Sequence, residues 1–391
     1  MSPNLCVRLY ADVANRYSRG VLRGIADFAK VHGGWDFDFD PRTEPIAAST
    51  LTRDQVNGDQ VNGVLIYLRR HEDGEALVRS GIPAVNVANL LSPPVLVPSV
   101  FPDDHAVGAM AAAYFLERGF QSFAYCGSES REYSRGRYEG FGNALKPRTC
   151  ACVNQDGDDP AHRAQILKTL PRPLAIFCCN DDVARQIVRE AIQLGIAVPD
   201  EAAVLGVGND EVYCDLSSIP LSSVRLDTYF IGYEAAAMLR RLMSGESAPL
   251  KPMLVPPVEV STRRSTDVLA LADSEVAAAV RFIRDRGGRE INVEDLLQRT
   301  SLSRRSLEIR FRRAVGRSPY QEIRRVQLER AKLLLSRTDR PVREIADACG
   351  FKEARQLSTA FHESVGLTPR QYRRRARGDD EGLGSSATEQ G

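Results

Sequence analysis

Between Val293 and Pro369 the chain spells the same helical unit twice, about fifty positions apart. The first copy runs from Val293 to Leu302, continues from Ser303 to Phe311, and closes on Gly316-Arg-Ser-Pro319. The second runs from Val342 to Phe351, continues from Lys352 to Phe361, and closes on Gly366-Leu-Thr-Pro369. In each, a short amphipathic helix meets a turn, and a second helix follows with its apolar anchor two turns in. That pattern is a helix-turn-helix, whose second helix can enter a DNA major groove. Two of them predict a reader of double-stranded DNA.

Charge agrees with the repeat. From Glu275 to Arg377 there are 25 Lys and Arg against 13 Asp and Glu, a local net of +12 inside a chain whose total is +1. A basic module is therefore joined to a mildly acidic one. Clustered cations that release counterions on engagement are what a polyanion partner requires. With 391 residues there is room for two or three domains with real cores. No apolar run approaches the ~18 residues of a membrane span, and because the start runs straight into an expected strand, no secretory leader is expected. The eight cysteines include Cys150-x-Cys152 and Cys178-Cys179 but no zinc-like spacing, so the adjacent pair reads as buried strand and a cytoplasmic location is expected.

Residues 1–265 alternate short apolar strands with amphipathic helices. Strands are expected at Leu5–Tyr10, Trp35–Phe39, Gly63–Leu68, Ala84–Val87, Ser122–Cys126, Ala151–Val153, Leu174–Cys179, Ala203–Val207 and Met253–Val260. Helices are expected at Tyr17–His32, Ala106–Arg118, Arg135–Leu145, Asp181–Leu194 and Tyr229–Met243. Strands without polar alternation, each followed by a helix, indicate parallel sheets covered on both faces. Two α/β lobes of about 130 residues each are expected, with Rossmann-like parallel sheets and crossovers near 98–106 and 225–230. The expected order is a two-lobed domain at 1–265, a linker at 266–274, an all-α domain with two helix-turn-helix motifs at 275–377, and a disordered tail at 378–391.

The all-α module resembles the arabinose-regulator (AraC) family through Leu307-x-x-x-Phe311, Gly316-x-Ser-Pro319, Ile345-Ala346, Gly350-Phe351, Phe361, Gly366-x-Thr-Pro369 and Tyr372-Arg373. Independently of any family, Leu307 and Phe311 share one face at i, i+4 spacing, as do Leu357 and Phe361, so each pair points inward. Arg304, Arg305, Glu308 and Arg312 on the first recognition helix avoid that stripe. Lys352, Glu353, Arg355, Gln356 and Thr359 are the outward candidates on the second. Arg suits bidentate contact with guanine and Gln with adenine, while Ser303 reads as a helix N-cap. Ile309 stands where the family usually has a basic residue, Leu357 replaces a usual aromatic, and Arg355 a small polar residue.

Residues 4–262 resemble the periplasmic-binding-protein-like effector domain of lactose-repressor (LacI/GalR) type regulators. The resemblance rests on Asp104-His-Ala-Val-Gly108, Arg137-x-x-Gly-Phe141, Asn180-Asp181 and the run Gly195–Asn209. An effector domain of this type ahead of an arabinose-type module is the arrangement of xylose-operon regulators. Tyr17-x-Arg19, Leu254-Val-Pro-Pro-Val258 and Arg264-Ser-Thr-Asp267 add local similarity to them. That likeness implies xylose or a related sugar as effector. Polyols bind through carboxylates, amides and guanidinium groups in a cleft beyond the carboxyl ends of the strands. Arg19, Asp104, Arg137, Asn180, Asp181, Asn209 and Asp210 all have that topological placement. The alternatives are that Asp104 and Asp181 are only helix N-caps and Arg137 an ordinary surface residue. Gly208 stands where the family usually has a ligand-binding Asp, and His105 replaces a usual Asn.

No phosphate-binding glycine loop, nucleophile elbow or metal-spaced histidine cluster occurs, so no catalytic residue, metal or cofactor is expected. The expected function is an effector-controlled transcription regulator bound to a duplex operator, acting as a homodimer, with RNA polymerase a candidate partner and no membrane. The rival readings are a sugar-processing enzyme with an appended DNA-binding domain, and an architectural DNA-binding protein without an effector.

Overall fold

The computed structural model describes residues 5–40, 61–154, 160–247, 249–268, 273–286 and 290–376. The expected tail at 378–391 and residues 269–272 of the expected linker lie outside these. The chain divides into two compact units, Met1–Val268 and Leu269–Gly391.

The first unit begins β1 (Leu5–Tyr10), α1 (Arg16–His32), β2 (Trp35–Asp40), β3 (Val61–Ile66), α2 (His71–Ser80), β4 (Ala84–Asn86) and β5 (Val100–Pro102). It continues through α3 (Asp104–Glu117), β6 (Ser122–Gly127), α4 (Glu132–Leu145), β7 (Ala151–Asn154), α5 (Pro160–Thr169) and β8 (Leu174–Cys178). Then come α6 (Asp181–Gln193), β9 (Ala202–Val207), α7 (Glu211–Leu216), β10 (Ser222–Leu226), α8 (Thr228–Met243), β11 (Met253–Val255) and β12 (Pro257–Ser261). One lobe holds a parallel sheet in the order β2-β1-β3-β4, the other a sheet in the order β12-β10-β9-β8-β6-β7. Only β12 runs antiparallel there. β8 and β9 are buried at every position, as strands covered by helices on both faces must be.

The chain crosses between lobes three times. The first crossing follows β5 and the second precedes α8, whose Ile231, Ala235 and Leu239 pack with Val21, Ile25 and Phe28 of α1 in the first lobe. A third follows β11, which pairs with β5, before β12 joins the second sheet. The single strand expected at Met253–Val260 is thus two strands broken at Pro256. A proline has no N–H for the ladder and marks such a break. The lobes are correspondingly unequal, four strands against six. Strand β10 is hidden in the sequence because Ser222 and Ser223 look like loop, yet both are fully buried and hydrogen-bonded.

The helix pair α3–α4 packs backbone to backbone. A Cβ on Gly108 would stand 2.2 Å from the Arg137 carbonyl oxygen, and one on Gly140 2.1 Å from that of His105. Pair α1–α8 does the same through Gly24 and Gly232.

The second unit comprises α9 (Ser274–Asp285), α10 (Val293–Leu297), α11 (Arg304–Val315), α12 (Pro319–Arg337), α13 (Val342–Ala348), α14 (Ala354–Val365) and α15 (Pro369–Ala376). Each repeat has its own core. Leu296, Leu307, Phe311 and Ile323 form one, and Leu335, Ile345, Leu357 and Phe361 the other. Ser303 caps α11 as expected, Ser318 and Gln321 form a capping box on α12, and Gly316 and Gly366 end their helices in the left-handed conformation. Glu322 of α12, only 1% exposed, accepts two hydrogen bonds from Arg325, with Arg317 at 3.4 Å and Arg284 of α9 at 3.9 Å. The charge is buried only because three guanidinium groups surround it.

Gly140→Ala would have to push α4 off α3, since the obstructing atom is backbone. We expect a loss of about 1–3 kcal/mol in urea unfolding. Gly142→Ala in the same helix meets nothing within 4 Å and should be neutral or stabilising.

Candidate functional site

A cavity of 370 Å³ opens where the two lobes face each other in the first unit, within the range of small-molecule sites. Asp104 and Arg137 line it as an almost fully buried pair, 4% and 5% exposed. The Arg137 Nε donates to Asp104 Oδ1 at 2.8 Å, and the Asn89 amide donates to Oδ2 at 2.8 Å. A second Arg137 nitrogen donates to the Cys179 carbonyl, and the guanidinium lies 4.8 Å from the centre of the Tyr133 ring. Burial pushes the Asp104 carboxyl upward, against the pull of Arg137 and Asn89.

Three ambiguities of the sequence resolve here. Asp103, not Asp104, caps α3, accepting from the Ala106 N–H at 2.9 Å. Asn180, not Asp181, caps α6, accepting from the Val183 N–H at 2.8 Å. Arg137 is not a surface residue. One residue further round each helix, Asp104 and Asp181 turn toward the cavity.

Asp181 accepts from the Ser223 hydroxyl at 2.5 Å and from the Asp210 N–H at 2.8 Å, while burial pushes its carboxyl upward. Asp210 lines the cavity and caps α7. Asn180 lines it too, with its amide 3.4 Å from the Tyr133 hydroxyl.

Two expected residues are not brought into the lining. Arg19 donates to the carbonyls of Val13 and Ala14 and lies 3.7 Å from Asp210 across the mouth. Asn209, held at φ 52°, accepts from Arg263 at 2.8 Å. Both serve the frame of the cleft rather than its wall.

The sequence reading missed Asn89, Tyr17, Tyr67 and Tyr133 in the wall. Tyr133 was legible, four residues before Arg137 and so on the same helix face. Asn89 was not, because the long loop after β4 carries no periodic signal. Arg263 was missed as well. Its guanidinium reaches Asn209, the Leu221 carbonyl and Asp215, and its backbone is paired with Ser222. With fully buried Ser265 and Thr266, it sews the end of the unit into β10.

In the second unit, Leu307 and Phe311 are fully buried. Arg305 and Arg312 project from the opposite, exposed face of α11. Ile309 joins them at 59% exposure. Arg304 instead pairs with Glu294 at 2.5 Å, and Glu308 is half-buried to one side. Lys352, Glu353, Arg355, Gln356 and Thr359 are all exposed on or just before α14, with Lys352 3.1 Å from Glu290.

Residues 112–266 match the periplasmic binding protein-like domain family and residues 296–375 a helix-turn-helix domain family. The xylose operon regulatory protein of Escherichia coli (strain K12) is 30% identical over 94% of this chain and 96% of its own length. That of Haemophilus influenzae is 29% identical over 91% and 95%. A solved structure described as the xylose-binding transcription activator XylR superposes with a TM-score of 0.71 at 27% identity, covering 95% of this chain and 98% of that one.

Asp104→Ala leaves the Arg137 charge buried without its partner. Unfolding free energy should fall by about 3–5 kcal/mol, read by chemical denaturation. Asn89→Ala removes one hydrogen bond to the same carboxylate and should cost about 1.5–3 kcal/mol. Equal, small losses in both would show that the pair is not held ionised.

Proposed function

Since the chain belongs to the xylose operon regulatory protein family and is a DNA-binding, sugar-responsive transcription regulator rather than an enzyme, we propose that the cavity between its lobes is the effector site. The observation that carries this reading is the buried Asp104–Arg137 pair on the cavity wall with the Tyr133 ring beside it. A fixed guanidinium and an aromatic face are what a polyol needs for directed hydrogen bonds and ring packing. Asn180, Asp181 and Asp210 complete the wall from the second lobe, and Arg19 and Asn209 hold its frame. The effector is xylose, as in the relatives' names, or a related sugar. In this assignment the sensor runs to Val268, three residues beyond the expected boundary because Thr266 and Val268 are buried in it, and the DNA reader begins with α9 and extends to residue 377.

Binding favours one arrangement of the lobes, by as much as the ligand's affinity differs between arrangements. The Arg263 anchor supports a mechanical route outward, because it ties the Asn209–Asp210 loop to the last residues before the linker. In the DNA reader, Arg305, Arg312, Arg355, Gln356 and Thr359 have the exposure a groove contact requires, and Ile309 suits a thymine methyl. Arg304 and Lys352 are held by exposed carboxylates, pairs weak enough to exchange for phosphates. In this reading Glu308 and Glu353 flank the contacts. The protein works in the cytoplasm as a homodimer, since effector domains of the resembled type commonly pair, and meets RNA polymerase at its promoter.

Arg137→Lys retains a cation for Asp104 but loses the planar fork. We expect at least a tenfold weaker response to xylose, about 1.4 kcal/mol, with operator affinity in the absence of sugar unaltered. A wild-type response curve in an operator-binding titration would remove the cavity from the effector pathway.

Arg305→Ala and Arg355→Ala should each cost about 1–3 kcal/mol of operator affinity and relax preference at one base pair. Binding-site selection distinguishes this from a phosphate contact, which weakens all sequences alike.

A further inference from the structure

The cavity wall carries four arginines, Arg16, Arg69, Arg131 and Arg137, and four aspartates, Asp104, Asp181, Asp182 and Asp210. Its formal charge balances, but the two signs are not equally available to a ligand. Both oxygens of Asp104 are occupied, by Arg137 and by Asn89. Both oxygens of Asp181 are occupied, by Ser223 and by the Asp210 N–H. Asp182 pairs with Arg185 at 3.5 Å. Asp210 accepts from the Val212 N–H and lies 3.7 Å from Arg19. Each of these carboxylates thus has a partner within the protein that offsets its negative charge before a ligand arrives, although its oxygens keep further acceptor sites.

The donors are the opposite case. Arg131 is exposed on the cavity wall and has no carboxylate partner among the described residues. Arg69 reaches Asp12 only at 3.9 Å and lies over the Tyr67 ring. Arg137 uses Nε and Nη1 on Asp104 and Cys179, leaving Nη2 without an acceptor among the described residues although the residue is 95% buried. The Tyr67 hydroxyl likewise has no hydrogen-bond partner among them. Tyr67, Arg69, Arg131 and Arg137 all line the same cavity, and the three guanidinium charges pull the Tyr67 phenol down against the upward push of its burial. Gly208 on the same wall offers no side-chain acceptor.

Guanidinium groups with open donors bind carboxylate or phosphate through short, charge-assisted hydrogen bonds, which are about twice as strong as neutral ones. Resting on the reading that this cavity is the effector site, we propose that the effector is an anionic sugar derivative, whose carboxylate or phosphate is bound by Arg131 and Arg69 while its hydroxyls meet Arg137 and Tyr67. The neutral pentose of the relatives' names is then the weaker ligand.

Isothermal titration of the full chain with matched pairs tests this. The probes are D-xylose against D-xylonate, and D-glucose against D-gluconate and D-glucose 6-phosphate. We expect at least one anionic member to bind ten times more tightly than its neutral parent, or about 1.4 kcal/mol. Gluconate against glucose 6-phosphate separates carboxylate from phosphate. Arg131→Gln, an exposed position that should not disturb folding, should shrink the preference to within about threefold. Added salt should shrink it too. Neutral parents binding as tightly as the anions would overturn the proposal, and so would an absence of binding by every anion. If Arg137→Lys still weakens the neutral sugars in that event, the cavity remains the effector site and only its charge preference is wrong. Anion binding indifferent to both Arg131→Gln and Arg137→Lys would place the ligand elsewhere and overturn both readings.

Discussion

Burial of the Arg137 charge is the constraint around which the sensing unit is arranged. An ion taken out of water costs several kcal/mol even after relaxation, and only close, fully hydrogen-bonded partners offset that. Here the offset comes from Asp104, the Cys179 carbonyl and the Tyr133 face. Asp104 and Arg137 sit on different helices, so those helices must approach closely. Gly108 and Gly140 permit that by removing the two side chains that would separate the backbones. The glycines, the ion pair and the cavity wall are thus one device.

The same economy governs the floor of the cleft. Asp181 is buried because Ser223 and the Asp210 N–H satisfy it. Ser223 also accepts from the Asn209 N–H, and Asn209 in turn accepts from Arg263. A ligand that shifts Asp181 or Asp210 therefore acts on a chain of hydrogen bonds ending at residues 263–266, beside the exit from the unit. Asn209 adopts a left-handed conformation, which Asn visits more readily than most non-glycine residues, and its amide oxygen is held there by Arg263. The rim pairs Arg19–Asp210 and Arg16–Glu211 are long and partly exposed, so they add little stability.

In the DNA-binding unit, rigidity comes from different chemistry. Two small cores share α12, and neither repeat alone buries enough apolar surface to hold a recognition helix firmly. At ~1.5 Å per residue, the 19 residues of α12 span roughly 28 Å. Glu322, surrounded by Arg284, Arg317 and Arg325, locks the start of that helix to α9 and to the turn after α11. Among so many arginines this buried acid spends cationic charge on the scaffold and leaves Arg305, Arg312 and Arg355 exposed.

Local patterns in the sequence were enough for the repeated helix-turn-helix, its inward anchors Leu307, Phe311, Leu357 and Phe361, the cap Ser303 and the closing Gly316, and the parallel strands between Leu5 and Val207 other than β5. Each depends on spacing within a few residues, and helix and strand periods are read directly from such spacing. Tertiary structure decided what no local window contains. It chose Asp103 over Asp104 and Asn180 over Asp181 as caps, because each residue turns the side chain by about 100° around the helix and only the packed neighbours say which direction is the cavity. It made strand out of Ser222 and Ser223, since their hydroxyls find partners some forty residues away at Asp181 and Arg263. It split the expected strand at Pro256, brought Asn89 to Asp104, and left Arg19 and Asn209 on the frame of the cleft. Apart from the break that Pro256 itself marks, these are long-range placements of polar groups, whose partners are fixed only when the chain has folded around them.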